Sequence, residues 1–251
     1  MLEANNVEVR YDTKIVLEDI TFEVKAGEIF LIVGGSGCGK TTLLKTLCGL
    51  LTPSKGSIRI MGRDITKLDE EEKAEIQQTV GFAFQSSGLI NSMTVGDNVA
   101  LPLKEYGKVP AELIPEVVRI KLSLVGLAGV EEMMPEELSG GMKKRAGLAR
   151  ALALDPPLVF FDEPSAGLDP IIAVELDELI LNLRELLGTT FVIVSHELES
   201  IKKIADRILM LDNGRRIFCG TLAEVETTNI PLVRQFFERK PSTERQIMAY
   251  R

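Results

Sequence analysis

Residues 34–41 read GGSGCGKT, a glycine-rich run that closes on a lysine and a threonine. The pattern G-x-x-x-x-G-K-[ST] falls on Gly34, Gly39, Lys40 and Thr41, and it suits phosphate chemistry. Glycines let the backbone approach phosphate oxygens, and a helix starting just after them offers free N–H groups to an anion. The Lys40 ammonium would reach the terminal phosphates, and the Thr41 hydroxyl would bind Mg2+. We therefore expect Gly34, Gly35, Ser36, Gly37, Cys38, Gly39, Lys40, Thr41 and Thr42 to line a nucleotide site. The plain alternative is a glycine-rich turn with a solvated lysine. The chain contains no Asn-Lys-x-Asp run to read guanine, which favours ATP.

A second set of polar residues closes other apolar runs. Residues 158–164 read LVFFDEP, where Asp162 would hold the Mg2+ shell and Glu163 would polarise an attacking water. An exposed acidic turn is the alternative, but two adjacent carboxylates ending a buried strand are costly without a cation. His196, the only histidine, ends residues 190–197, TFVIVSHE. A lone histidine is more often structural, yet a neutral imidazole at that end would contact a γ-phosphate. Gln85, in FAFQSSG, would sense Mg2+ and water, although in isolation it reads as a surface glutamine.

These residues need elements to position them. Residues 28–34, 158–164 and 190–197 are short apolar runs without alternation, as expected of parallel strands buried on both faces. Each carries its polar motif at its C-terminal end, where open α/β sheets bind ligands. The N-terminal region and SIRIMGRDI alternate apolar and polar residues and read as half-exposed antiparallel strands. A hairpin is expected at LMLDNGRRIFC, with Asp212, Asn213 and Gly214 as its turn. From Ser86 to Glu137 the pattern is helical, with breaks expected at Pro102, Pro110, Pro115 and Pro135. The fold class is thus α/β, with a mostly parallel core sheet, an N-terminal antiparallel β subdomain and an inserted helical subdomain. Boundaries are expected at 1–230 for the main domain, about 86–150 for the insertion, and 231–251 for a C-terminal helix and tail.

The 251 residues can bury one substantial core, and 45% apolar with 26% charged residues argues against disorder. Twenty-nine basic against 37 acidic residues leave a net charge of −8, so nucleic acid is not an expected partner. No secretory signal and no apolar run near the length of a membrane span are read. Three cysteines without metal-ligand spacing suit a reducing compartment, and a cytoplasmic location is expected.

Residues 138–142, LSGGM, open another helix with a serine and two glycines. Ser139 would cap it, and the amides of Gly140 and Gly141 would face an anion. Lacking a Lys-Thr pair, this second cradle makes sense as a half-site closing over nucleotide held by another subunit. The ordered set GGSGCGKTT, FQSSG, LSGGM, LVFFDEP, SAGLDP and VSHE resembles the ATPase subunits of ABC transporters over nearly the whole chain. The resemblance implies a P-loop NTPase acting as a head-to-tail homodimer that sandwiches two ATP molecules. Ser139 and Gly141 would then touch the γ-phosphate in trans, and Asp169 would communicate across the dimer. Tyr11 would stack on adenine, with an exposed strand tyrosine as its alternative. A membrane permease would dock on the helical insertion.

Met142 stands where most members carry glutamine, and together with FQSSGLINSMTVGDNVALPL and SAGLDP it is similar to the Mla-type subfamily of bacterial lipid transporters. That resemblance implies phospholipid as cargo, an MCE-domain lipid carrier, sometimes a STAS-domain subunit, and a place on the cytoplasmic face of the inner membrane. Alternatives are another cargo class or a soluble ABC ATPase such as an iron–sulfur assembly factor. The tail, with Arg234, Phe236, Phe237, Arg239, Lys240, Arg245 and Arg251, is expected either to touch the dimer mate or small subunit or to remain solvated.

Overall fold

The computed structural model describes residues 1–107 and 109–239. Strands β1 (Leu2–Tyr11) and β2 (Lys14–Val24) pair antiparallel and alternate buried with exposed side chains along much of their length. Strand β3 (Ile29–Gly34) is buried at every position and leads through the glycine-rich loop into helix α1 (Lys40–Leu47). Strands β4 (Lys55–Ile60) and β5 (Arg63–Asp64) return to the first two, giving an antiparallel sheet of order β2-β1-β4-β5. Helix α2 (Glu70–Gln77) starts on a capping box between Asp69 and Glu72 and leads to β6 (Val80–Ala83).

The insertion follows as α3 (Val95–Tyr106), α4 (Ile114–Leu124) and α5 (Gly140–Ala151). Three of its prolines stand at element starts: Pro110 and Pro135 at short 3-10 turns, Pro115 in the first turn of α4. Pro102 does not break the chain as expected. It lies inside α3, forfeiting the bond its N–H would make to the Asn98 carbonyl, and packing of α3 on α4 and α5 keeps the helix whole. Asn98 itself is fully buried and ties down the loop after Gln85. Its Oδ1 accepts from Ile90 N at 2.7 Å and its Nδ2 donates to the carbonyls of Ile90 and Thr94 at 3.0 and 2.9 Å.

The chain then alternates strand and helix: β7 (Leu158–Asp162), α6 (Pro170–Leu187), β8 (Thr190–Val194), α7 (Leu198–Ile204) and β9 (Arg207–Asp212). A hairpin turns at Asn213 and Gly214, both at positive φ (45° and 76°), into β10 (Arg215–Thr221). Helices α8 (Leu222–Thr227) and α9 (Pro231–Phe237) close the described chain.

The second sheet has the order β10-β9-β3-β8-β7-β6, parallel throughout except for the antiparallel edge strand β10. Alternate residues of its central strands feed two cores. Leu31, Val33, Phe161 and Ile193 face the helices of the insertion and α6–α7, whereas Phe30, Ile32, Phe160 and Val194 face α1 and the antiparallel sheet. Burial on both faces explains why these strands read as continuous apolar runs. Among the described residues no helix is long and apolar enough to cross a membrane.

Candidate active site

Strand order decides what meets at the site. β8 lies between β3 and β7, with Val194 registered against both Ile32 and Asp162. The C-terminal ends of all three strands therefore open side by side.

At the end of β3, Gly34 has φ 145°, and a Cβ there would come within 2.3 Å of the Leu211 carbonyl oxygen. Only glycine fits that approach. Gly39 caps α1 in the left-handed region with no side-chain hydrogen bond, so the first-turn N–H groups remain available to an anion. Lys40 is 7% exposed and folds back across the loop, donating to the carbonyls of Gly34 and Gly35, each at 3.0 Å. The result is a cleft of about 580 Å³ lined by the loop glycines, Lys40, Thr41, Thr42, Glu163 and His196. Val16 of β2 and Phe236 of α9 line it as well.

Across the cleft, the Thr41 hydroxyl donates to Asp162 Oδ1 at 3.3 Å. Burial pushes the Asp162 carboxyl above its ordinary range and neighbouring Glu163 adds to this, against the pull of the Thr41 bond. Glu163 holds a left-handed backbone (φ 46°), with its N–H on the Val194 carbonyl at 3.0 Å. Its carboxylate is gripped from two sides. Gln85 Nε2 donates to Oε2 at 3.1 Å, and His196 Nδ1 stands 3.2 Å from Oε1. With the carboxylate ionised, the imidazole must carry its hydrogen on Nδ1 to bond there. The oxygens of Thr41, Asp162 and Gln85 are hard donors that fit Mg2+, which usually takes few protein ligands and completes its shell with phosphate and water.

The second cradle lies elsewhere. Ser139 and Gly140 are exposed at the start of α5, and no residue from 139 to 142 lines the cleft. The Ser139 hydroxyl accepts from Met142 N at 3.3 Å. Gly141 lies flush against α6, since a Cβ there would meet Ile172 Cγ2 at 2.6 Å. Asp169 is taken up locally as the N-cap of α6, accepting from Ile171 N and Ile172 N at 3.1 and 3.0 Å. Tyr11, 50% exposed at the end of β1, does not line the cleft.

Two contributors escaped the sequence reading. Phe236, on the expected C-terminal helix, reaches the cleft because α9 packs on α8, and Arg239 bonds Glu199 at 3.3 Å. Lys240, Arg245 and Arg251 lie outside the described residues. Lys144 of α5, 7% exposed, donates to the carbonyls of Gln85 and, at 3.0 Å, of Glu163. Burial lowers its pKa, and the carboxylates of Glu163 and Asp162 oppose that shift. The available signal was a charged residue on the buried face of an otherwise apolar helix stripe.

The family model described as ABC transporter matches residues 17–166. The chain is 40% identical over 238 residues to the intermembrane phospholipid transport system ATP-binding protein MlaF of Haemophilus influenzae, covering 95% of this chain and 90% of that protein. It is also 40% identical over 235 residues to the "Probable ribonucleotide transport ATP-binding protein mkl" of Mycobacterium bovis, covering 94% of this chain and 66% of that protein. The chain thus spans about two thirds of the mycobacterial relative's length. A solved ATP-binding cassette dimer, in a post-hydrolysis state bound to ADP and Pi, aligns with a TM-score of 0.81 at 31% identity. That alignment covers 88% of this chain and 99% of the solved one.

Proposed function

Because this chain belongs to the ABC transporter family of ATPases, we propose that it is the ATP-hydrolysing subunit of a bacterial inner-membrane system that moves phospholipids between inner and outer membranes. The observation that carries the hydrolytic reading is Glu163, held between Gln85 and His196 at the mouth of the P-loop cleft.

The chain's groups divide the work. The α1 amides and Lys40 hold the phosphates, and Lys40 exchanges its two loop carbonyls for phosphate oxygens. Tyr11 stacks on the adenine. Glu163 takes a proton from a water molecule as its oxygen bonds to the γ-phosphorus. The bond from that phosphorus to the β–γ bridging oxygen breaks, and its electrons stay on ADP. Gln85 and His196 fix the Glu163 carboxylate, and the imidazole, once turned, is within reach of the γ-phosphate. Thr41, Asp162 and Gln85 would hold Mg2+, which would neutralise charge on the phosphates.

One similar ABC transporter cassette is solved as a dimer. In the arrangement proposed here, Ser139, Gly140 and Gly141 close over the γ-phosphate bound to a second copy, and Asp169 lies at the seam between copies. The exposure of Ser139, Gly140 and Asp169, and the separation of all four residues from their own chain's cleft, support that reading. Further partners are a permease, an MCE-domain lipid carrier and a STAS-domain subunit, with the chain peripheral on the cytoplasmic face. Identity of 40% along 90% of MlaF supports phospholipid, while equal identity to mkl makes ribonucleotide the rival cargo.

Capture of tagged Glu163→Gln protein with ATP from native membranes tests this, with mass spectrometry of the recovered proteins and lipids. A permease with an MCE-domain protein and phospholipid supports the proposal. Recovery of soluble scaffold proteins alone, or of a permease whose transport is of nucleotides, overturns the cargo.

A further inference from the structure

Helix α5 carries the exposed half-cradle at its start, yet its opposite face is pressed against its own chain's catalytic loop. Gly147 lies flush there, since a Cβ would come within 2.8 Å of the Ser87 carbonyl oxygen. Arg150 donates to the carbonyl of Gly88 at 2.7 Å and to that of Ser87 at 3.4 Å. One turn closer to the cradle, Lys144 reaches inward from the same face and bonds the carbonyls of Gln85 and Glu163. Through Lys144, Gly147 and Arg150, three successive positions on one face, α5 is packed against residues 85–88.

Lys144 completes the fixing of Glu163. The N–H of Glu163 is held by the Val194 carbonyl and its own carbonyl by Lys144, so both peptide units flanking a left-handed residue are pinned. With its backbone set, the direction of its side chain follows. Lys144 also places a positive charge beneath two adjacent carboxylates.

We propose that Lys144 is a positioning residue that couples the half-cradle offered to the partner's nucleotide with the hydrolytic groups of its own site. A shift of α5 as Ser139 and Gly141 meet the partner's γ-phosphate is carried through the Lys144 ammonium to the Gln85 and Glu163 peptides. The inference rests on the reading of Glu163 as general base.

The test uses full-length protein carrying Lys144→Met, which removes every donor, and Lys144→Gln, which keeps a neutral one. ATPase rates, ATP affinity and thermal midpoint are measured for each. For Lys144→Met, kcat should fall by about 10- to 100-fold, as expected for loss of charge-assisted hydrogen bonds in the transition state. KM and ATP affinity should stay within about twofold, the mark of an interaction felt in catalysis and not in binding. Lys144→Gln should fall between Lys144→Met and the parent. In a Glu163→Gln background, Lys144→Met should cost less than about twofold more, because residues acting through one group are non-additive. Multiplying losses, a parent-like kcat in Lys144→Met, or a matching loss of ATP affinity would each overturn the proposal. A Glu163→Gln protein that hydrolyses at the parent rate instead removes the base assignment, and this inference with it.

Discussion

Two helices in this protein open on glycines and present N–H groups to an anion, and they are built in opposite ways. At α1 the cap is Gly39, with no side-chain bond to the first turn, and a buried lysine stands over the loop. Thr41, Asp162, Glu163 and His196 surround that end with groups that handle charge and protons. At α5 the cap is Ser139, whose hydroxyl already bonds Met142 N, and the end is exposed. Helix N-termini are thus interchangeable as anion sites, and what separates a complete site from a half-site is the company the tertiary fold supplies.

The comparison breaks most visibly at Glu163. Glu163→Gln should lower kcat by about 10²- to 10⁴-fold, the usual worth of a general base, while ATP still binds. Phosphate release and equilibrium binding of a fluorescent ATP analogue check both halves. Lys40→Ala should act earlier, weakening ATP binding about 10- to 100-fold through lost charge-assisted hydrogen bonds.

Ser139→Ala sharpens the contrast from the other cradle. Monomer affinity for ATP should be unchanged, hydrolysis should drop about tenfold, and the lost cap should cost about 1 kcal/mol of stability. If this change weakens ATP binding to the single chain as Lys40→Ala does, α5 serves its own nucleotide and the division of labour fails. Mixing the two variants supplies a further check, since a heterodimer retains one intact composite site and should hydrolyse ATP faster than either variant alone.

The smallest effect is a labelling rate. Burial pushes the Cys38 thiol in the P-loop above the ordinary thiol range, so its thiolate is scarce at neutral pH. Alkylation should be slow there, speed up as pH rises, and slow again when ATP fills the loop. Cys48 at the far end of α1, pushed up to about 12 by burial, should show no ATP effect. Protection of both cysteines alike would mean that ATP tightens the whole helix and not the cradle.

Much of this is legible in the sequence. The three apolar strands, the D-N-G hairpin and the helical insertion are local patterns, and each motif residue lies where its strand or helix ends. Pro102 misleads because its propensity is local, while α3 is held by contacts with α4 and α5. Asp169 illustrates a different limit. Its residue type serves an N-cap as well as an interface, and only the bonds to Ile171 and Ile172 reveal the local use. Phe236 is a different matter: nothing in its local pattern places an aromatic of the C-terminal helix on the cleft wall, where only the packing of α9 brings it.

The sequence by itself determined which residues can do chemistry and which short elements carry them. Those properties depend on spacing over a few residues, where backbone geometry and periodicity act directly. Only the tertiary structure decided that β8 lies between β3 and β7. That order brings Glu163 to His196, 33 residues away, and the pairing of β6 with β7 brings it to Gln85, 78 residues away. It also turned Lys144 inward onto their backbone. Strands buried on both faces look alike in sequence, so their neighbours are chosen by packing across two cores, which no local pattern records.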